Sequence, residues 1–480
     1  MKGAMMRQGN LIARDAEIKR LDQCMREKTA QLVIVCGRRR VGKTFLINEY
    51  FEGRFDFKIT GAYKEKREVQ LRNFAYELSD QTRTEQATPG DWTEAFHLLR
   101  NYFSGLPADE KHVFFFDEMP WFDTPHSGFL AAFEHFWNDF GSAQHNFVCI
   151  VCGSAASWMT KNITNNKGGL FKRHTCSIYL KPFTLKETEE YLASRGFTWL
   201  RYDIAECYMI IGGIAYYLSL LEPDRSLVDN VDNLFFRKRA ELWNEFGILY
   251  NTLFANSAQH IKIVEALSSK KRGLTRKEIA KAADCPENGD LTNVLRDLVS
   301  SDFVRIDSRF GKKNESCYQL KDYYSLFYFR FIKDYHGRDE HYWSHSYGGA
   351  KRNAWLGNTY EQVCKDHIQQ IKNKIGIAAV LSEESTWSLK GDDDKRGAQI
   401  DLIIDRRDHV INLCEIKYSE KEYEISKDYD AILRNKRETF REHTLTKKTI
   451  QFVMITTYGV KPSKYSGSIS KEITLDDMFF

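Results

Sequence analysis

Nothing limits the fold of this chain more than Gly37 to Thr44, GRRRVGKT, set between two apolar segments of different period. A glycine, four residues and then Gly42-Lys43-Thr44 is the spacing of a loop that wraps phosphate groups. Before it, Gln31 to Cys36 is a β-branched, apolar run suited to a buried parallel strand; after it, Phe45 and Leu46 open a helical pattern. Glycines let backbone N–H groups turn inward around an anion, and the helix N-terminus adds a partial positive charge. Lys43 is expected to reach the β- and γ-phosphates of ATP and Thr44 to hold Mg²⁺. Gly37, Arg40, Val41, Gly42 and Phe45 complete the expected nucleotide cradle. Arg38, Arg39 and Arg40 read as contacts to DNA or a neighbouring subunit, or equally as a solvated loop.

Such a loop needs an acidic partner for its metal, and HVFFFDEMPWFD supplies one. Val113 to Phe116 is a short apolar strand ending in Asp117-Glu118. Asp117 can ligate Mg²⁺ through water and Glu118 can polarise the attacking water, so ATP hydrolysis is expected. A plain turn at Asp117 is the bland alternative. A third apolar segment, NFVCIVCGSAASWM, ends in Gly153-Ser154, where Ser154 either senses the γ-phosphate or simply caps a helix.

Five segments, GRRRVGKT (37–44), FFFDEMPW (114–121), VCGSAASWM (151–159), GGLFKRHTCSIYLKPF (168–183) and IGGIAYYL (211–218), resemble the archaeal-type ATPases. These are a branch of the AAA+/STAND-like P-loop ATPases of archaea and bacteria. The resemblance implies that Arg173 reports on, or completes, a nucleotide site, within one chain or across an interface in a homo-oligomer. Ala215 stands where the family usually has proline, a departure that bears on the lid helix and not on hydrolysis.

The chain of 480 residues is long enough for about three domains. Its formal net charge of +4 permits nucleic-acid binding without demanding it. No apolar run reaches the ~18 residues of a membrane span, and the N-terminus lacks an apolar signal core. A cytoplasmic protein with no membrane partner is expected. Cys149 and Cys152 form a Cys-x-x-Cys inside an apolar strand, with no second pair at zinc spacing; reduced, structural cysteines fit better than a metal site.

The expected fold class is α/β. A P-loop ATPase core with a parallel sheet spans 1–183 and a helical lid 184–252, broken at Gly212-Gly213. From His260, three short helices precede two strands, Phe303 to Ser308 and Ser316 to Leu320, in winged-helix order, giving a domain at 253–335. Thr275 to Glu278 reads as a capping box, and Asn293, Arg296 and Asp297 lie on the third helix. That helix is poorly charged for DNA reading, whereas Arg309, Lys312 and Lys313 on the hairpin suit phosphate contact. Packing within the chain competes with direct DNA contact.

Residues 350–480 hold a second constellation. GNTYEQVCKDHIQQI reads as a helix with Tyr360, Val363, Cys364 and Ile368 inward and Glu361 near its start. Asp401 heads an apolar strand, a turn at Asp405 to His409 follows, and Leu413 to Lys417 pairs antiparallel with Glu415 and Lys417 on one face. Asp401, a spacer of thirteen residues and Glu-x-Lys resemble the PD-(D/E)xK signature of restriction-endonuclease-like folds, with Ile400 in place of the usual proline. The resemblance implies that Glu361, Asp401 and Glu415 hold Mg²⁺ or Mn²⁺, while Lys417 positions or deprotonates water and steadies developing charge. A β-hairpin with exposed charges is the bland alternative. The expected protein hydrolyses ATP and binds and cleaves DNA under ATP control; a non-cleaving signalling or scaffold switch, or a transcription regulator, would use the same parts otherwise.

Overall fold

The computed structural model describes residues 11–154, 156–164, 168–170, 172–254, 256–391 and 397–480; the side chains of 156, 157, 313 and 314 lie outside that description, and with them the wing residue Lys313. The chain divides into two compact units, Met1–Pro182 and Phe183–Phe480.

The first unit is built on five parallel strands: β1 (Gln31–Gly37), β2 (Phe57–Thr60), β3 (His112–Asp117), β4 (Phe147–Gly153) and β5 (Cys176–Leu180), ordered β2-β3-β4-β1-β5. Strands β1, β3 and β4 are buried at every position, as strands covered on both faces must be. One face is filled largely by aromatic rings, with Trp92, Phe96, Phe114, Phe116, Phe129 and Phe133 in a single core. Helix Trp92–Ser104 enters this core behind an Asp91 cap that accepts from Glu94 N–H.

The second unit opens with helices Leu185–Ser194 and Arg201–Ile211, the first behind a complete Thr184/Glu187 capping box, and the helical run breaks at Gly212-Gly213 as expected. Helices Ser257–Ser268, Arg276–Ala282 and Gly289–Ser300 follow, with a short strand β6 (Leu274–Thr275) before the second. The capping box at Thr275 and Glu278 forms. The hairpin after them is β7 (Val304–Arg309) and β8 (Lys312–Leu320), its second strand longer than the sequence suggests.

This hairpin does not stand alone. A mixed eight-stranded sheet runs β13-β12-β11-β10-β9-β7-β8-β6, where β9 is Ser382–Leu389, β10 Ala398–Arg406, β11 Val410–Lys417, β12 Thr449–Thr456 and β13 Ile469–Ile473. Arg309 pairs with Thr386 across the junction, and Phe310 N–H donates to Thr386 O at 2.9 Å. Helix Lys427–Thr444 packs on the C-terminal part through Leu433 and Phe440, against Ile403, Ile411 and Leu413.

Two expectations about this region need correction. Helix Ala350–Asp366 begins earlier than its sequence pattern suggests, so Glu361 lies in its second half and not near its start. The helix also ends at Asp366, and a new one, Ile368–Lys374, turns His367 inward and leaves Ile368 only half-buried. Among the described residues no helix is long and apolar enough to cross a membrane. Cys149 and Cys152 are fully buried and unbonded.

Candidate functional site

The phosphate-type loop joins β1 to helix Lys43–Tyr50. Two glycines are required there. A side chain at Gly37, where φ is +148°, would meet Leu180 O at 2.3 Å, and Gly42 caps the helix at φ 95°, ψ 27°. Arg40 takes φ 70°, a left-handed backbone that strains a non-glycine residue. Lys43 is buried and donates from Nζ to Gly37 O at 3.2 Å and Arg38 O at 2.9 Å, which holds its ammonium inside the loop.

The acidic partners are in reach. Thr44 Oγ1 donates to Asp117 Oδ2 at 2.8 Å, so the two groups expected to share Mg²⁺ already touch. That proximity fits a magnesium ion held between loop and strand; the ion, when bound, would neutralise phosphate charge. Because β4 lies between β1 and β3, Ser154 at its end stands between loop and acids. Ser154 Oγ and N–H both approach Glu118 Oε2, at 2.9 and 3.4 Å. Glu118 itself sits at φ 47°. The serine is thus tied to Glu118, an arrangement that neither the γ-phosphate sensor nor the helix cap anticipates.

Other residues of this region are placed differently from expectation. Arg38 is buried, 4% exposed, and is no part of a solvated loop, while Arg39 and Arg40 are half-buried. Phe45 is 52% exposed, which leaves its backbone N–H and not its ring to face an anion. Arg173 is displaced further. Thr175 N–H donates to Leu32 O and Val33 pairs with Cys176, so Arg173 lies at the N-terminal edge of the sheet. Leu32 is five residues before Gly37, roughly 16 Å of strand at the usual rise, and Arg173 precedes that level. Arg173 therefore does not reach the nucleotide loop of its own chain, because a parallel sheet puts its strand entries and exits on opposite edges.

Sequence reasoning missed Arg14. Its buried guanidinium donates to Lys181 O at 3.1 Å and to Val41 O at 3.3 Å, tying the loop to the chain that leaves β5. No local pattern signals it.

In the second unit, β10 and β11 bring the other constellation together. Register Leu402↔Cys414, continued by one residue, sets Asp401 opposite Glu415. A bulge between Ile400 and Ile403 against β9 re-aims Asp401, so that Ile400 and Ile403 can both enter the core. Glu415 is 3% exposed and accepts from Tyr429 Oη at 2.5 Å and Lys436 Nζ at 2.6 Å. Burial would raise its carboxyl, but Lys436 and then Lys417 outweigh it and hold the group below the usual range.

Lys417 Nζ lies 3.1 Å from Glu415 Oε1. Burial works against its charge, but Glu415 prevails and raises the ammonium above its ordinary value. A charged ammonium held against Glu415 suits positioning water and steadying developing charge. Glu361 is pushed up to about 7 by burial and then by Asp401, with Lys271 Nζ at 2.5 Å opposing the shift. Asp401 also accepts from Gln399 Nε2.

The expected three-carboxylate metal site does not form as drawn. Among the described residues no three His, Cys, Asp or Glu side chains stand close enough to hold one ion. Glu361 is taken by Lys271 and Glu415 by Lys436, Lys417 and Tyr429, so the carboxylates are neutralised in separate pairs. Tyr429, Leu433, Lys436 and Phe440 recur at helical spacing in the sequence, a signal that could have named Lys436 and Tyr429 in advance.

Residues 11–221 match the model of an ATPase domain predominantly from Archaea. An uncharacterized protein of Methanocaldococcus jannaschii is 23% identical over 429 residues, 88% of this chain and 91% of that protein. Among solved structures, the Walker-type ATPase of Pyrococcus abyssi is similar at 18% identity, over 68% of this chain and 97% of that one, with a TM-score of 0.49. The ORC2 protein of Aeropyrum pernix is similar at 11% identity, over 66% and 92%, with a TM-score of 0.42. With Lys43, Thr44 and Asp117 gathered at one sheet edge, the match over residues 11–221 supports an α/β P-loop ATPase fold and ATP as a ligand.

Proposed function

We propose that this protein couples ATP hydrolysis to the handling of nucleic acid by its C-terminal half. For hydrolysis, the supporting observation is Thr44 Oγ1 at 2.8 Å from Asp117 Oδ2, with Glu118 on the next residue. In this reading Lys43 binds the β- and γ-phosphates, Thr44 and Asp117 hold the metal, and Glu118 polarises the attacking water. Arg173, far from its own loop, contributes only across an interface between copies.

For the C-terminal half, the reading is a restriction-endonuclease-like module preceded by a winged helix. It is supported by Asp401 lying level with Glu415 on neighbouring strands, with Lys417 on the same face as Glu415 and Glu361 close enough to Asp401 to share its field. The lysine-paired carboxylates favour a resting state of this site, and ATP-driven movement is the proposed release.

The test is cleavage of linear and supercoiled DNA by the full chain with Mg²⁺ or Mn²⁺, with and without ATP, in wild type, Lys43→Ala and Asp401→Ala. Cleavage lost in Asp401→Ala and altered in Lys43→Ala supports an ATP-gated nuclease. Intact ATP hydrolysis with no cleavage in any condition refutes the nuclease and leaves a non-cutting switch.

A further inference from the structure

The second unit carries a cleft whose wall comes from three regions far apart in sequence: the segment around 271–319, helix Ala350–Asp366 and the strands around Asp401. Five cations line it, Lys271, Arg272, Arg309, Lys312 and Lys365, against two acids, Glu361 and Asp401. An excess of positive charge around two carboxylates is unexpected for a cation site and suits a polyanion.

Three of these cations, Arg309, Lys312 and Lys271, are held by exchangeable contacts. Arg309 and Lys312 share Glu315 at 3.0 and 2.8 Å on the exposed hairpin. Lys365 donates to Asp307 at 2.5 Å and Lys271 to Glu361 at 2.5 Å. Gln319 bridges the last two, accepting from Lys365 and donating to Lys271 O. Pairs with an accessible cation, those of Arg309, Lys312 and Lys271, are weak and yield to a phosphate that offers the same hydrogen bonds with more charge, whereas Lys365 on Asp307 is largely buried and stays in place. Phe310 and Trp387 also line the cleft, half-buried, each with its ring against Phe440 at 5.0 and 5.3 Å. Rigid aromatic faces beside a cationic track are what a strand with accessible bases stacks on.

We propose that this cleft receives a nucleic-acid strand, its phosphates on Arg272, Arg309 and Lys312, and that one phosphate draws Lys271 away from Glu361. Substrate entry then uncovers the Glu361–Asp401 pair, which the ammonium of Lys271 otherwise neutralises. The inference rests on reading that pair as part of a site acting on phosphodiesters, but the binding itself does not require cleavage.

The experiment uses the full chain and fluorescently labelled single-stranded DNA, double-stranded DNA and single-stranded RNA, followed by anisotropy across a salt series. Wild type is expected to bind at least one probe with affinity that falls as salt rises. Arg272→Ala/Lys312→Ala should weaken binding about tenfold or more at low salt and reduce the salt slope by about two. Its ATP hydrolysis should be unchanged, which reports that the fold is intact. Lys271→Ala should reduce the slope by about one; an unchanged slope makes Lys271 a fixed counter-ion and overturns the displacement step. Wild-type affinity in the double variant, or no binding of any probe by wild type, overturns the proposal. Binding lost with these residues in a protein that cuts nothing sustains it while the nuclease reading fails.

Discussion

Ser154 Oγ donates a 2.9 Å hydrogen bond to Glu118 Oε2, across the gap between two parallel strands that both end at the nucleotide loop. Strand β4 is the neighbour of both β3 and β1, so this serine is placed to fix the glutamate relative to Lys43 and Thr44. Glu118→Gln should preserve ATP binding and lower turnover about a hundredfold or more, the usual scale for a positioned base. Ser154→Ala should also preserve binding and lower turnover about tenfold, since it removes only an orienting bond, about 1.4 kcal/mol in the barrier. Steady-state phosphate release, beside binding of a fluorescent ATP analogue, separates the two effects.

Lys43→Ala is expected to act at the earlier step. Its buried ammonium donates to both loop carbonyls, Gly37 O and Arg38 O. Removal takes away the phosphate partner and loosens the loop, so ATP affinity should fall by tenfold or more, measured by the same analogue. Unchanged affinity with lost turnover would assign Lys43 to catalysis alone.

The ATPase half was largely legible because its signals are local. The apolar run Gln31 to Cys36, the glycines and the acids at Asp117-Glu118 each specify their own backbone, and all became strand, loop and strand end. What escaped was non-local. Arg14 lies far upstream of the loop it steadies, and Arg173 is near the loop only in a list of motifs, since strand direction puts it on the opposite sheet edge. In the C-terminal half the alternating pattern found β10 and β11 but not the bulge at Asp401, which shifts the pattern by one residue. Nor did it find β9, whose burial follows no strict alternation. Lys436, which neutralises Glu415, shares a helical spacing with Tyr429, but Lys271, which neutralises Glu361, comes from a distant segment that no spacing rule connects to it.

Arg352 and Glu206 form an ion pair sealed from solvent, with exposures of 2% and 4%. The guanidinium also donates to Trp343 O at 3.0 Å and lies 4.3 Å over the Trp343 ring. Arg352→Ala strands a buried carboxylate and empties the stacking position, so it should destabilise the second unit by about 3–5 kcal/mol. Arg352→Met with Glu206→Gln should recover much of this, because no unpaired charge is left. Urea unfolding followed at the tryptophans measures both; equal losses in the two variants would mean that packing, not charge, dominates.

His367 carries the clearest dependence on pH. It is buried, its Nε2 accepts from Leu185 N–H at 2.9 Å and its Nδ1 donates to Val363 O at 2.8 Å, so the fold demands the neutral ring with one tautomer. Burial holds its basicity below the ordinary histidine value, against the smaller pull of the Val363 carbonyl and Asp366. In the unfolded chain the ring takes a proton near about pH 6.5, and the folded ring does not until lower pH. The unfolded state therefore binds more protons between those two values, and stability is complete above about 6.5 and declines below it, by up to about 1.4 kcal/mol per pH unit. His367→Gln keeps an acceptor and a donor without a titrating ring. Its unfolding midpoint should change less than that of the wild type between about pH 7.5 and about pH 5.5. If both proteins lose stability in parallel, the acid sensitivity belongs to other groups and the ring is protonated in place.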